Sequence, residues 1–446
     1  MLLDFTVSNY RSIYDAASIN MIAGREQAHR ERCPLLSKRY SKTVNPIAAI
    51  FGANASGKTT FIKAMQTLKD LIANPPRPAD PMPFDPFGLN DRAKDEPTSF
   101  ELMFVWDDFI YDYTLRFDGN HIVEESLSQI LSRTEQTLFI RHEDHFEFPQ
   151  IDPHGSPLSE QAKSATTLLS SVPDKVPLAS YVGEVNFGDL ATQFNLSSYA
   201  AVKTFLENVF VVPAGIMELP GGETNFGSWQ ELITEIDAGI EGVHSEPVEL
   251  QALGLRDDTL RDYRRVLTTS KNPIHVELPN GRFTISLDED ELIAERISLE
   301  HASEGSRPKR VKWSAESDGT KSAARLLGLF ELYSRPDMRG VLMVDEIDRS
   351  FHTELSKALI GGFLKASNKD SRTQILLTTH DLLLMDPQLL RRDEILIVEK
   401  DHTGQTNITP LSDFEEPRKT TDLRKSYLQG RFGGIPAIQP LRFSRG

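Results

Sequence analysis

The stretch that most constrains this chain is "IFGANASGKTT", Ile50 to Thr60. Gly52 and Gly57 bracket four residues, and Lys58 and Thr59 follow, the spacing G-x-x-x-x-G-K-[ST]. Glycine lets the backbone curl until several N–H groups point inward at an anion. In such a loop Lys58 reaches the β- and γ-phosphates and the Thr59 hydroxyl sits on Mg²⁺. Both flanks agree. "PIAAIFG" is an apolar run of strand length, and Phe61, Met65, Leu68 and Ile72 recur at helical spacing. The phosphates would then meet a helix N-terminus, whose N–H groups and dipole favour negative charge. The bland alternative is a glycine turn without a ligand, and the strand–loop–helix setting argues against it. The expected phosphate-binding set is Gly52, Asn54, Gly57, Lys58, Thr59 and Thr60.

Such a loop needs carboxylates to hold the metal and orient water. The candidate is "GVLMVDEIDRS", where the apolar strand Val341 to Val344 ends in two acids. Asp345 is expected to assist Mg²⁺ with Thr59, and Glu346 to orient or activate water. Adjacent acids at a buried strand end are costly unless something compensates their charge, and a metal does. The alternative is a strand that ends in a polar loop. Two further signals flank this one. "SAESDGTKSAARLLGLFELY" places Ser317 and Gly319 at the start of a helix, a second phosphate-binding end. "ILLTTHD" is a strand that delivers His380. Strands and helices alternate here as in a largely parallel sheet.

In this order the motifs resemble those of ABC-type ATPases: phosphate loop, signature helix, apolar strand ending in two acids, strand ending in histidine. The signature is "ESDGT" rather than "LSGGQ", and the acidic strand continues "DEID" rather than "DEPT". The opening "VSNYRS" resembles the first strand of RecF- and SMC-like members. "RRDEILIVEK", "LSDFEEPRK" and "YLQGRFGGIPAI" resemble the stand-alone ATPases of abortive-infection and anti-phage operons, relatives of the OLD type. The resemblance runs to about Ile438, with a divergent middle. It implies an α/β fold: an ABC-type ATPase head with a mixed, mostly parallel sheet flanked by helices, an antiparallel β-subdomain and an inserted, mainly helical lid. It implies ATP and Mg²⁺ as cofactors, and a homo-oligomer in which two heads face each other. Ser317 and Gly319 of one head would then contact the γ-phosphate held by the other. Glu346 is the implied base and His380 the implied γ-phosphate sensor. Asn9 and Arg11 fall where relatives place residues near the nucleotide. Ser350 falls at a D-loop whose sequence, "DRSFH", departs from the transporter form. No Q-loop glutamine can be placed.

Composition narrows the function classes. The single cysteine, Cys33, excludes an internal disulfide and a multi-cysteine zinc site and fits a reducing cytoplasm. No apolar run is long enough for a transmembrane helix, so no membrane partner is expected. "MLLDFTVSNYRS" lacks a basic n-region and a long apolar core, so it is not read as a signal peptide. It alternates as a strand near a sheet edge. The formal net charge is −16, which argues against broad attraction to nucleic acid. The clusters "RPKRVK" and "RKSYLQGRF" leave local nucleic-acid contact open, with a solvated face as the alternative. "HEDH", His142 to His145, lacks the H-E-x-x-H spacing and sits in an expected hairpin.

Three segments are expected. Residues 1–160 form the N-terminal lobe, with the phosphate loop and a meander whose turns are Asp107-Asp108 and Asp118-Gly119-Asn120. Residues 161–310 form the mainly helical insertion, with helical spacing in "SSYAAVKTFLENVF" and "WQELITEIDAGI". It has no sustained heptads, so no long coiled coil is expected. Residues 311–446 form the C-terminal lobe. Three functions compete: a nucleotide-driven switch in anti-phage defence that controls a separate effector such as a nuclease, a RecF/SMC-like DNA-maintenance ATPase, and a transporter motor. The departures from "LSGGQ" and the size of the insertion count against the transporter motor.

Overall fold

Ile47–Phe51 is buried at all five residues, as an interior strand covered on both faces requires. The computed structural model describes residues 1–37, 39–131, 134–152, 159–184, 189, 194–214, 229–236, 239–270, 273–289, 291–304, 307–349, 352–414 and 422–434. The chain forms two units, Met1–Pro213 with Arg339–Ile347 and Ser367–Gly446, and Ala214–Met338 with Asp348–Ala366. They cut across the three segments expected from sequence: the signature helix belongs to the second unit and the acidic strand to the first.

The first unit holds a six-stranded sheet in the order Val209–Val212, Arg339–Val344, Arg372–Thr379, Ile47–Phe51, Ile395–Lys400, Thr406–Pro410. The first five strands are parallel and the last is antiparallel. The acidic strand and the phosphate-loop strand are therefore not neighbours. The strand that leads to His380 lies between them, with Val344 beside Leu377 and Ile50 beside Thr378. The helix Lys58–Ala73 follows the loop and buries Phe61, Met65, Leu68 and Ile72, the stripe its spacing predicts.

A seven-stranded antiparallel sheet completes this unit, from His145–Glu147 at one edge to Ala17–Asn20 at the other, with Leu2–Ser8 one place inside that edge. The meander read from sequence is there as Thr98–Trp106, Phe109–Phe117 and Ile122–Ile130. Asp107 and Asp108 both have positive φ, 47° and 66°, the backbone a two-residue hairpin turn needs to match strand twist. Asp118 closes the next turn by accepting hydrogen bonds from the amides of Asn120 and His121, at 2.7 and 2.9 Å.

Glu125 pins the helix Leu178–Glu184 to this sheet. Its buried carboxylate accepts from Tyr113 Oη at 2.9 Å and from the amides of Leu178 and Ala179 at 2.7 and 3.1 Å. Arg141 lies 3.8 Å away. Burial raises the Glu125 pKa above the usual carboxylate range, while Arg141 and the amides pull it down.

The second unit contains the antiparallel strands Ile240–Val248, Glu291–His301, Gly281–Asp288 and Ile274–Leu278, in that order, with Lys309–Lys312 added alongside Glu291–His301. The helix Asp257–Ser270 packs Tyr263 and Leu267 into a core with Ile274, Val276, Phe283 and Ile285. Within 161–310 the expected helices are joined by strands. Helices Ala201–Glu207 and Trp229–Ile236 are present, but residues 240–312 are mostly strand. Val209, read as the last turn of a helix, instead opens the strand beside the acidic strand.

Glu125→Ala should lower stability by about 3 kcal/mol or more, because it removes the carboxylate nearest the buried Arg141 and strips the two amides of their acceptor. Glu125→Gln keeps an acceptor and should cost clearly less. Chemical denaturation of both variants checks this, and equal losses would contradict the hydrogen-bonding role.

Candidate functional site

The phosphate loop turns on two glycines. Gly57 has φ 109°, and a Cβ there would lie 2.1 Å from Thr406 Oγ1. A Cβ on Gly52 would lie 2.4 Å from the Val398 carbonyl oxygen. Lys58 is buried, and its Nζ donates to the carbonyl oxygens of Gly52 and Ala53 at 2.7 and 2.9 Å. The loop borders a pocket of about 360 Å³. Asn54 to Thr60 line it, joined by Arg11, Ser12, Lys63 and Glu346.

The acidic strand meets this loop as the motif order requires. Asp345 is 4% exposed, and its Oδ1 accepts from Thr59 Oγ1 at 3.1 Å. The same oxygen accepts from Thr378 Oγ1 at 2.5 Å. Glu346 has φ 53°, and its amide donates to Thr378 Oγ1 at 2.7 Å. His380 follows the strand Arg372–Thr379 directly and is exposed; it is not among the residues lining the pocket.

Sequence reasoning passed over Ser12, Thr378 and Thr406. Thr60 Oγ1, Ser12 Oγ and Thr406 Oγ1 form a chain with steps of 2.8 and 2.9 Å, and Thr406 Oγ1 lies 2.9 Å from the Ser56 carbonyl. Thr406 Oγ1 is the donor, its single proton shared between the Ser12 hydroxyl and the Ser56 carbonyl, while either of Ser12 and Thr60 can donate to the other. Gly434, beyond the helix Leu423–Leu428, accepts from the Ala53 amide at 3.1 Å and braces the loop from its other side. Residue-type patterns carried no signal for these contacts, which join residues 48 to 394 positions apart. The hydroxyl in "LLTTHD" was visible but was overshadowed by the histidine.

Arg11 lines the pocket and pairs with Asp85 at 3.2 Å. Asn9 does not belong with it, which corrects its expected place at the nucleotide. Its side chain is spent on backbone: Nδ2 donates to the carbonyls of Ala93 and Glu96, each at 2.7 Å, and Oδ1 accepts from the Phe87 amide at 3.1 Å. Asn9 is buried and staples the loop that carries Asp85. Ser317 and Gly319 lie in the second unit, at the start of the helix Asp318–Tyr333. Ser317 is exposed and caps that helix, its Oγ accepting from the Thr320 amide at 3.0 Å. Ser350 and the end of the tail, 435–446, lie outside the described residues.

The basic cluster 307–312 is partly neutralised: Arg310 pairs with Glu300 at 3.2 Å across the sheet. A second pocket, about 330 Å³, lies among Leu232, Leu327, Phe330 and Phe363 of the second unit and contains none of the expected site residues.

The loop fits a phosphate-bound Mg²⁺. The Ser56 hydroxyl is a buried polar atom with no hydrogen-bond partner, in a cradle that a Cβ at Gly52 would invade. Thr59 and Asp345 offer hard oxygen donors side by side, the set Mg²⁺ takes when phosphates complete its shell. Among the described residues no group of three or more His, Cys, Asp or Glu could hold a metal on its own. No helix among the described residues is long and apolar enough to cross a membrane.

A phosphate loop, an acidic strand beyond an intervening strand and the resulting pocket define a P-loop ATPase. A family model described as "AAA domain, putative AbiEii toxin, Type IV TA system" matches residues 47–181 and 230–386, well over half of the chain, and the chain belongs to this family. No curated protein matches. Among solved structures, the SMC head bound to the C-winged-helix domain of ScpA is similar at 13% identity and TM-score 0.39, covering 92% of this chain and 97% of that one. That likeness is too weak to carry an argument.

Asn9→Ala should lower stability by about 2–3 kcal/mol, since it leaves buried backbone groups unpaired. Nucleotide affinity should change less than about threefold. Thermal unfolding and nucleotide titration check this together, and a large loss of affinity at unchanged stability would return Asn9 to the nucleotide site.

Proposed function

We propose that this chain binds ATP with Mg²⁺ at the phosphate loop, hydrolyses it, and uses the cycle as a switch in a bacterial anti-phage or abortive-infection system. The observation that carries the nucleotide reading is the meeting of Thr59 and Asp345, 286 residues apart in sequence, beside a pocket that Glu346 also lines. Gly52, Asn54, Gly57, Lys58 and Thr60 hold the phosphates. Thr59 and Asp345 hold the metal, which supplies charge neutralisation at the transferring phosphoryl group. Glu346 orients and deprotonates the attacking water, and Arg11 stands at the pocket rim to meet negative charge.

The composite-site reading is part of the proposal. Ser317 and Gly319 serve the phosphate loop of a second copy, and His380 senses the γ-phosphate in the closed pair. Two heads closed on ATP then present a surface that differs from the open state, and a separately encoded effector, such as a nuclease, reads it. Membership of a family described as a putative AbiEii toxin supports the abortive-infection setting. The DNA-maintenance alternative needs a basic face, and the net charge of −16 does not favour one. The protein is proposed to act in the cytoplasm.

Lys58→Ala should abolish nucleotide binding or turnover. Glu346→Gln should bind ATP at parental affinity and hydrolyse it about 10²–10⁴-fold more slowly, the usual effect of losing a general base. Labelled-ATP binding and phosphate release measure both, and parental turnover in either variant removes that residue from its role.

Ser317→Arg should bind ATP without turning it over. Mixed with Lys58→Ala, it should regain part of the activity neither has alone, because a mixed pair holds one intact site. Robust hydrolysis by Ser317→Arg at dilutions where the protein is monomeric would sink the composite site.

A further inference from the structure

Asp345 and Glu346 are neighbours in sequence, and both must serve the same pocket. A strand forbids this, since successive side chains point to opposite faces. The chain solves it with a left-handed residue: φ at Glu346 is 53°. For a residue other than glycine this conformation costs about 1–2 kcal/mol and persists only where the surroundings hold it.

One residue on the adjacent strand bonds this turn at three points, beside the Asp345 amide's own bond to the Val212 carbonyl. Thr378 lies one step beyond Leu377, the register partner of Val344, so it sits directly beside Asp345. Its carbonyl accepts the Ile347 amide at 3.1 Å. Its hydroxyl accepts the Glu346 amide at 2.7 Å and gives its single proton to Asp345 Oδ1 at 2.5 Å. All three residues of the acidic turn are therefore bonded to Thr378, which is fully buried. Its Cα partner on the other side is Ile50, two residues before the phosphate loop's first glycine.

We propose that Thr378 is the positioning residue of this site, its hydroxyl setting the metal-side aspartate and the water-side glutamate as one unit. This rests on the assignment of those two roles under the proposed function. The hydroxyl is used in both directions, so its donor fixes which way the Asp345 carboxylate faces while its acceptor fixes the turn that aims Glu346. A substitution that keeps the shape and removes the hydroxyl breaks both links together.

Thr378→Val and Thr378→Ser in the full chain separate hydroxyl from packing. The first readout needs no nucleotide: hydrogen exchange of the 345–347 amides. Protection should fall in the valine variant and stay parental in the serine variant. The second readout is turnover. Losing a hydrogen bond to a charged group, about 1.5–3 kcal/mol, corresponds to a fall in kcat of about ten- to a hundredfold. The KM for ATP should stay within about twofold, and half-saturating Mg²⁺ should rise. Serine should restore kcat.

Parental exchange and kcat in Thr378→Val would overturn the inference, as would a serine variant as defective as valine. Altered exchange in valine alone, in a protein whose parent shows no Lys58-dependent ATP turnover, would instead defeat the proposed function and leave the turn's dependence on Thr378 standing.

Discussion

The whole site hangs on one aspartate oxygen. Asp345 Oδ1 accepts from Thr59 at the start of the phosphate-loop helix and from Thr378 on the strand between the two motif strands. A nearly buried carboxylate is tolerable only with partners that compensate its charge, and hydroxyl donors do so without a permanent counter-ion. That leaves room for a cation to enter. Sheet order makes the meeting unavoidable: with parallel strands Arg339–Val344, Arg372–Thr379 and Ile47–Phe51 side by side, all three strand ends open on the same edge.

The loop itself is held by distant segments. The hydroxyl chain Thr60–Ser12–Thr406 joins it to the first strand's end and to the last strand of its sheet. Gly434 receives the Ala53 amide. A glycine-rich loop has little preference for one conformation by itself, so its shape depends on contacts from both ends of the chain. Asn9 acts one layer further out, fixing the segment that carries the Asp85 partner of Arg11.

The phosphate loop, the acidic pair and the meander were legible because their signals are local. Glycine spacing, an apolar strand ending in two acids, and Asp-Asp or Asp-Gly-Asn between alternating strands each encode backbone geometry within a few residues. The strands of 240–312 were not legible, because charged residues dilute their alternation: in Glu291–His301 the buried positions are Leu292, Ala294 and 297–299, with Glu295 and Arg296 between. Val209 misled for the opposite reason, since an apolar run after a helix fits another turn as well as a buried strand. Asn9 and Arg11 look alike in sequence and share a left-handed backbone, at φ 45° and 54°, yet only Arg11 lines the pocket. Which side of a turn a residue serves is set by the loop packed on it.

The central claim is that Thr59 and Asp345 together hold the metal of a nucleotide bound at the phosphate loop. The most direct measurement is a crystal structure with a non-hydrolysable ATP analogue and Mn²⁺ in place of Mg²⁺, using the anomalous signal to locate the ion. The expected result is phosphate density within the loop 52–60 and an anomalous peak within coordination distance of Thr59 Oγ1, with the Asp345 carboxylate beside it. Nucleotide seated in the loop with its ion away from both residues, or bound elsewhere on the chain, would contradict the account.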